Sequence, residues 1–271
     1  MYPRSVRPSR ILTEIREGKV ATCAKLNLGE PRIVELAGMV GCSSVWLCNE
    51  HVPGEWTTIE HSVRAAKVHD MDVIVRVSKG SYSEYLKPFE CDAAGIMVPY
   101  VESAEEAQRV VEMCRCHPLG SRPMDGGNVD GSFCGLDAED YIRYCNEDKF
   151  IILQIESPKG VEEVEKIAAV PGYDFLLFGP GDYSHRLGKL GKIHDPEVLA
   201  ARKRVEAAAM QNGKWGVAVG YPAPAAELLS RGYRIAQITS DVVALRGAFT
   251  KAINDFHTGF GVAQSTYSDA R

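Results

Sequence analysis

A closed (β/α)8 barrel is the fold this sequence predicts, on three observations. Eight apolar runs of strand length alternate with helical patterns along nearly the whole chain. The runs are continuously apolar rather than alternating, as strands covered on both faces of a parallel sheet must be. The length, 271 residues, is one at which such barrels occur as a single domain. An open doubly wound sheet is the main rival, but no Gly-x-Gly-x-x-Gly follows an early strand to favour it.

Taken in order, Ser9–Glu17 reads as a short amphipathic helix stopped by Gly18. The β-like runs of the first half are Thr22–Leu26, Ser44–Asn49, Asp72–Val77 and Gly95–Pro99. Those of the second half are Phe150–Ile155, Phe175–Phe178, Trp215–Val219 and Ile235–Thr239. Between them lie the helical patterns Pro31–Val40, Thr57–Val68, Ser81–Glu90, Ala104–Cys114, Ala138–Cys145, Val161–Val170, Pro196–Met210 and Ala223–Ser230. A last one, Val242–Phe256, follows the eighth run. The barrel domain is thus expected over 1–257, with a Gly-, Ser- and Thr-rich flexible tail over 258–271. One long irregular stretch, His117–Asp137, suits a lid or an oligomer contact.

Composition narrows the function. A net charge of −5 offers no basic stripe, which makes nucleic acid and anionic membrane poor candidate partners. No apolar run approaches the ~20 residues of a membrane span. Eight cysteines are scattered through apolar segments, and only Cys114-Arg115-Cys116 is close-spaced, without a second pair or a suitably placed His for zinc. Free thiols in a reducing cytoplasm are the expectation.

Chemistry concentrates between Phe150 and Gly188. Two apolar runs there end in turns that carry a carboxylate, Gln154-Ile155-Glu156-Ser157 and Gly179-Pro180-Gly181-Asp182. A helical pattern between them makes a βαβ unit, so Glu156 and Asp182 emerge at the same sheet edge, about 5 Å apart in strand spacing. Two adjacent carboxylates repel unless protonated or bridged by a cation. An all-oxygen pair suits Mg²⁺ or Mn²⁺; helix-capping acids are the plainer alternative. The other strand-end turns are polar too: Cys48-Asn49-Glu50-His51 closes the second run, and Arg76 ends the third. An arginine in an apolar barrel strand needs an anionic partner, either a fixed carboxylate or charge that develops on a ligand.

With Gln154-Ile155-Glu156-Ser157, Ala168-Ala169-Val170-Pro171-Gly172 and Phe178-Gly179-Pro180-Gly181-Asp182, the chain resembles the HpcH/HpaI family of metal-dependent 2-oxo acid aldolases over roughly residues 8–255. The resemblance implies that Glu156 and Asp182 ligate a divalent metal (Mg²⁺, Mn²⁺ or Co²⁺) and that Gln154 arranges their surroundings. It implies that amides at Gly181 and Asp182 hold the carboxylate of a pyruvate-like ligand, that Arg76 stabilises an enolate, and that His51 is the general base. The small-molecule partners would be a 2-oxo acid and an aldehyde, and the assembly a homohexamer packed through the last helix. Two departures stand out. Where the family carries an aspartate three residues before the histidine, this chain has Cys48, which lacks the carboxylate. Counting back from Pro99, the family's second acid becomes Glu90, with Asp92 two residues on; Glu90 is expected to orient His51. Arg122 matches a Gly-x-Arg element and is read as structural. Lys79 and Lys159 lie near strand ends, but the carboxylate pair favours metal chemistry over an imine. Two other readings remain open at this level. One is an acyl-CoA lyase of the citrate-lyase β or malyl-CoA type; the other is a non-catalytic 2-oxo acid binder.

Overall fold

The computed structural model describes residues 6–80 and 82–258. Eight parallel strands close into a barrel in sequence order: β1 (Ala21–Leu26), β2 (Ser44–Cys48), β3 (Asp72–Arg76), β4 (Gly95–Val98), β5 (Phe150–Ile155), β6 (Phe175–Phe178), β7 (Trp215–Ala218) and β8 (Tyr233–Ser240). Closure comes from β8 pairing with β1, where Ala21 lies beside Ile235 and Lys25 beside Ser240. The predicted strands are all present, with ends shifted by at most two residues.

The sequence splits the core into two. Side chains at every second strand position fill the barrel interior: Cys23, Trp46, Ile74, Met97, Phe150, Ile152, Phe175, Leu177, Val217 and Ile235. The intervening positions, such as Val45, Val75, Ile96, Leu153 and Leu176, pack outward against the helices. This is why the runs read as continuously apolar. Ile11, Leu12 and Ile15 of the first helix (Arg10–Arg16) join the interior cluster and stop the barrel at its N-terminal end.

Three elements differ from expectation. The pattern Val161–Val170 forms two short helices, Pro158–Glu162 and Val164–Ala168, hinged at Glu163. The turn after β6 is itself a helix, Pro180–Arg186, begun by a proline that needs no N–H there. The stretch His117–Asp137 is no lid. It packs at the N-terminal end of the barrel, where the Arg122 guanidinium lies over the Phe89 ring and pairs with buried Asp130 at 2.8 Å. That contact bears out the structural reading of Arg122.

The last helix, Asp241–Thr258, stands off the barrel with Val243, Phe249, Ile253 and Phe256 exposed. The tail beyond Thr258 lies outside the described residues. No helix among the described residues is long and apolar enough to cross a membrane.

Candidate active site

Period-two alternation decides what reaches the C-terminal mouth. Positions in step with the interior rows bring Lys25, Cys48, Arg76, Gln154 and Glu156 inward from β1, β2, β3 and β5. The registers Cys48↔Arg76 and Gln154↔Leu177 set their heights.

Glu156 is the centre of the arrangement. Only 4% exposed, it receives the Tyr100 backbone N–H at 3.0 Å on Oε1 and the Gln154 side-chain amide on Oε2. Tyr100 presents that N–H from a left-handed backbone, φ +58°, a conformation costing a non-glycine residue about 1–2 kcal/mol. Gly179 is required beside it, since a Cβ there would stand 2.7 Å from Glu156 Oε2. Burial, then Asp182 and Glu50, push the Glu156 carboxyl up to about 8, against the opposing pull of Arg76. A buried carboxylate crowded by two others is a cation-binding arrangement. Among the described residues no three His, Cys, Asp or Glu side chains form a ready-made cage. Glu156 and Asp182 thus fit an ion that keeps water and substrate oxygens in its remaining positions.

Arg76, also 4% exposed, is fixed on three sides. Its guanidinium lies 4.9 Å over the Trp46 ring and donates from Nη2 to Cys48 Sγ at 2.9 Å. Its Nε stands 3.0 Å from Glu50 Oε2, but out of line, so the two pair as charges without a hydrogen bond. Gln154 Oε1 is likewise buried without a hydrogen-bond partner among the described residues.

His51 sits at the rim with its side chain 60% exposed, Nε2 3.4 Å from Glu50 Oε2. Its backbone N–H donates to Cys48 Sγ at 3.4 Å. The thiol therefore shapes the turn and anchors Arg76, while the acid next to the histidine is Glu50. The sequence showed Glu50 in the motif, but its contact with both Arg76 and His51 could not be read there.

Glu90 lies away from the His51 of its own chain. It is the last residue of helix Tyr82–Glu90, which runs back from the mouth to the N-terminal end, and its charged neighbours are Asp130, Arg122 and Asp125. Strands of this length put about 15–20 Å between the two ends. Within one chain Glu90 cannot orient His51. Asp92 belongs to that same far end, buried between Lys67, Lys149 and Tyr144. Gly181 and Asp182 open the helix Pro180–Arg186, whose first internal N–H bond is Tyr183 to Gly179 at 3.1 Å. The N–H groups of Gly181 and Asp182 precede it and face no helical acceptor. Arg186, one turn beyond Asp182, lays its guanidinium 4.7 Å over the Tyr100 ring.

Comparison with known proteins agrees with this fold. The family model described as HpcH/HpaI aldolase/citrate lyase matches residues 26–248. A 5-keto-4-deoxy-D-glucarate aldolase of Klebsiella pneumoniae is 32% identical over 84% of this chain and 89% of its own length. Among solved structures, an HpcH/HpaI aldolase from Desulfitobacterium hafniense superposes with a TM-score of 0.84 at 29% identity, covering 90% of this chain and 95% of that one. A Burkholderia cenocepacia HpcH/HpaI aldolase/citrate lyase family protein gives 0.83 at 28% identity, covering 92% and 99%. The chain therefore belongs to the HpcH/HpaI aldolase/citrate lyase family, as a carbon–carbon lyase of the class II aldolase type.

Proposed function

We propose that this chain reversibly cleaves a 4-hydroxy-2-oxo acid of the 2-keto-3-deoxy sugar acid kind into pyruvate, or a near relative, and an aldehyde. The observation that carries this reading is the placing of buried Glu156 beside Asp182 with Arg76 and Glu50 in the same mouth. Support for the sugar-acid substrate comes from the 5-keto-4-deoxy-D-glucarate aldolases among its relatives.

Glu156 and Asp182 are the residues that would hold the divalent ion, Mg²⁺, Mn²⁺ or Co²⁺, while Gln154 fixes the Glu156 oxygen through its amide. Such an ion, when bound, supplies Lewis-acid polarisation of the 2-oxo group and a template for the substrate carboxylate. The free N–H groups at Gly181 and Asp182 are placed to receive that carboxylate. His51 takes the proton from the 4-hydroxyl through a water molecule, the C3–C4 bond breaks, and the electron pair moves into the C2–O enolate. Arg76, rigid between Trp46, Cys48 and Glu50, stabilises the oxygen that gains charge, and costs little reorganisation because it is already fixed. Protonation at C3 then yields the 2-oxo acid. Glu50, touching both Arg76 and His51, aligns the two groups.

The apolar face of helix Asp241–Thr258 supports packing on a neighbouring copy, and a homohexamer is our reading of the assembly. All eight cysteines are free thiols, which supports a cytoplasmic location. A retro-aldol assay over a panel of 4-hydroxy-2-oxo acids, with coupled detection of pyruvate and with and without EDTA, tests the reading. Turnover that survives full chelation would overturn it.

A further inference from the structure

The mouth contains a second inward cation that the mechanism above leaves unused. Lys25, on β1, continues the interior row of Ala21 and Cys23 and stands beside Trp46 of β2 in register. Its Nζ lies 5.2 Å over the Trp46 ring that also carries Arg76 at 4.9 Å, so two cations share one indole. Arg76, Cys48, Glu50 and Asp182 are the charged and titratable groups in its electrostatic surroundings. No carboxylate stands within ion-pair distance of Lys25 among the described residues: Glu50 is engaged by Arg76, and Asp182 belongs to the cation pair. A half-buried ammonium beside a guanidinium, without a counter-ion of its own, is an unfavourable arrangement unless an anion arrives.

Barrel order says where on the substrate that anion sits. Glu156 follows β5 and Asp182 follows β6, whereas β1 lies half-way round the ring. Resting on the metal-aldolase reading, the 2-oxo acid end of the substrate occupies the β3, β5 and β6 side, under Arg76 and the acid pair. The aldehyde half then extends toward β1 and β2, past His51 and onto Lys25. We propose that Lys25 is the specificity-determining residue for the aldehyde half, binding a carboxylate at its far end. A lysine suits this task because its ammonium is a compact point charge on a flexible stem, able to meet a carboxylate whose position varies with chain length.

The test uses the full chain with saturating Mg²⁺ and two ligands that lack a 4-hydroxyl and so cannot be cleaved. These are 2-oxoadipate and 2-oxohexanoate, of equal carbon count and differing in the terminal carboxylate. In calorimetric titration the wild type should bind 2-oxoadipate about ten-fold or more tightly than 2-oxohexanoate. Lys25→Met should erase that preference while leaving 2-oxohexanoate binding in place, which also certifies folding, and Lys25→Arg should restore part of it. Kinetically, Lys25→Met should raise KM for tartronate semialdehyde in condensation with pyruvate and spare kcat. Glyceraldehyde, which has a hydroxymethyl in place of the carboxylate, should be unaffected, and glyceraldehyde 3-phosphate should be a poor substrate of the wild type. Equal binding of the two ligands by the wild type would overturn the proposal, as would a parallel loss for both in Lys25→Met. So would a selective loss that follows Arg186→Ala instead. A wild type that discriminates by carboxylate yet condenses no aldehyde would instead sink the aldolase reading and keep the Lys25 assignment.

Discussion

The two ends of the barrel treat their carboxylates in opposite ways. At the N-terminal end Asp72, Asp174 and Asp92 have fixed partners. Asp72 takes Arg7 at 2.7 Å, Ser9 at 2.6 Å and the Ile11 N–H at 2.9 Å. Asp174 takes Arg115 at 2.6 Å and the Ile151 N–H at 2.8 Å. Burial pushes Asp92 up, but Lys149 and Lys67 more than offset it and hold the group below its ordinary range. At the C-terminal end Glu156, Asp182 and Glu50 crowd around Arg76, and the Glu156 carboxyl rises to about 8. One end is internally compensated and holds the fold together. The other leaves Glu156 crowded by like charge and unpaired among the described residues, which is the signature of a site rather than a scaffold.

Four measurements can break or sharpen this contrast. Glu156→Gln should lower kcat/KM by about four orders of magnitude, since it removes half of the cation pair. The same change should leave the metal-free protein at least as stable at pH 8, because a disfavoured charge has gone. A clear loss of Tm would place Glu156 with the scaffold carboxylates. At the far end Asp92→Ala should act the other way, costing about 3–5 kcal/mol in denaturant unfolding by stranding the buried Lys149, with kcat of the folded fraction unchanged. Arg76→Lys should lower kcat by about 10²–10³ and slow pyruvate C3 proton exchange alongside it; undiminished exchange would make Arg76 structural.

The smallest effect is in the pH dependence of stability. The folded Glu156 carboxyl sits near 8 against an ordinary 4.5, so the native state holds the extra proton between those values. Stability of the metal-free protein should therefore fall as pH rises through that window, by up to about 1.4 kcal/mol per unit. Saturating Mg²⁺ or Glu156→Gln should each flatten the slope. An equal slope in all three would remove Glu156 as its source.

Much of this was legible in the sequence because strand-end chemistry is local. Apolar runs ending in Glu156, Asp182, Arg76 and the His51 turn announce a mouth, since a strand end fixes which face of the barrel a residue meets. Glu90 lies far from its own chain's His51 for an instructive reason. Counting back from Pro99 gives a position along the chain, but a residue that ends a helix before a strand lies at the N-terminal end by topology. The mouth role of Lys25 went unread because one lysine in Ala24-Lys25-Leu26 resembles a strand-end solvating charge, and only register and the shared Trp46 ring reveal it. Glu50 was visible beside His51, but its reach to Arg76 depends on a turn shaped by the Cys48 sulfur. The helix Pro180–Arg186 is too short for periodicity to show.

The pairing of Ala21 with Ile235 has a consequence for how the chain acquires its shape. The barrel's first strand cannot complete its hydrogen bonds until its last has been made. The plug formed by Ile11, Leu12 and Ile15 has a finished interior to fill only then. Contacts this distant in sequence make for slow folding, because the entropy of closing the loop is lost before the contact repays it. During synthesis β1 therefore presents an unpaired edge for as long as β8 is missing, and that edge is where premature association of nascent chains should begin.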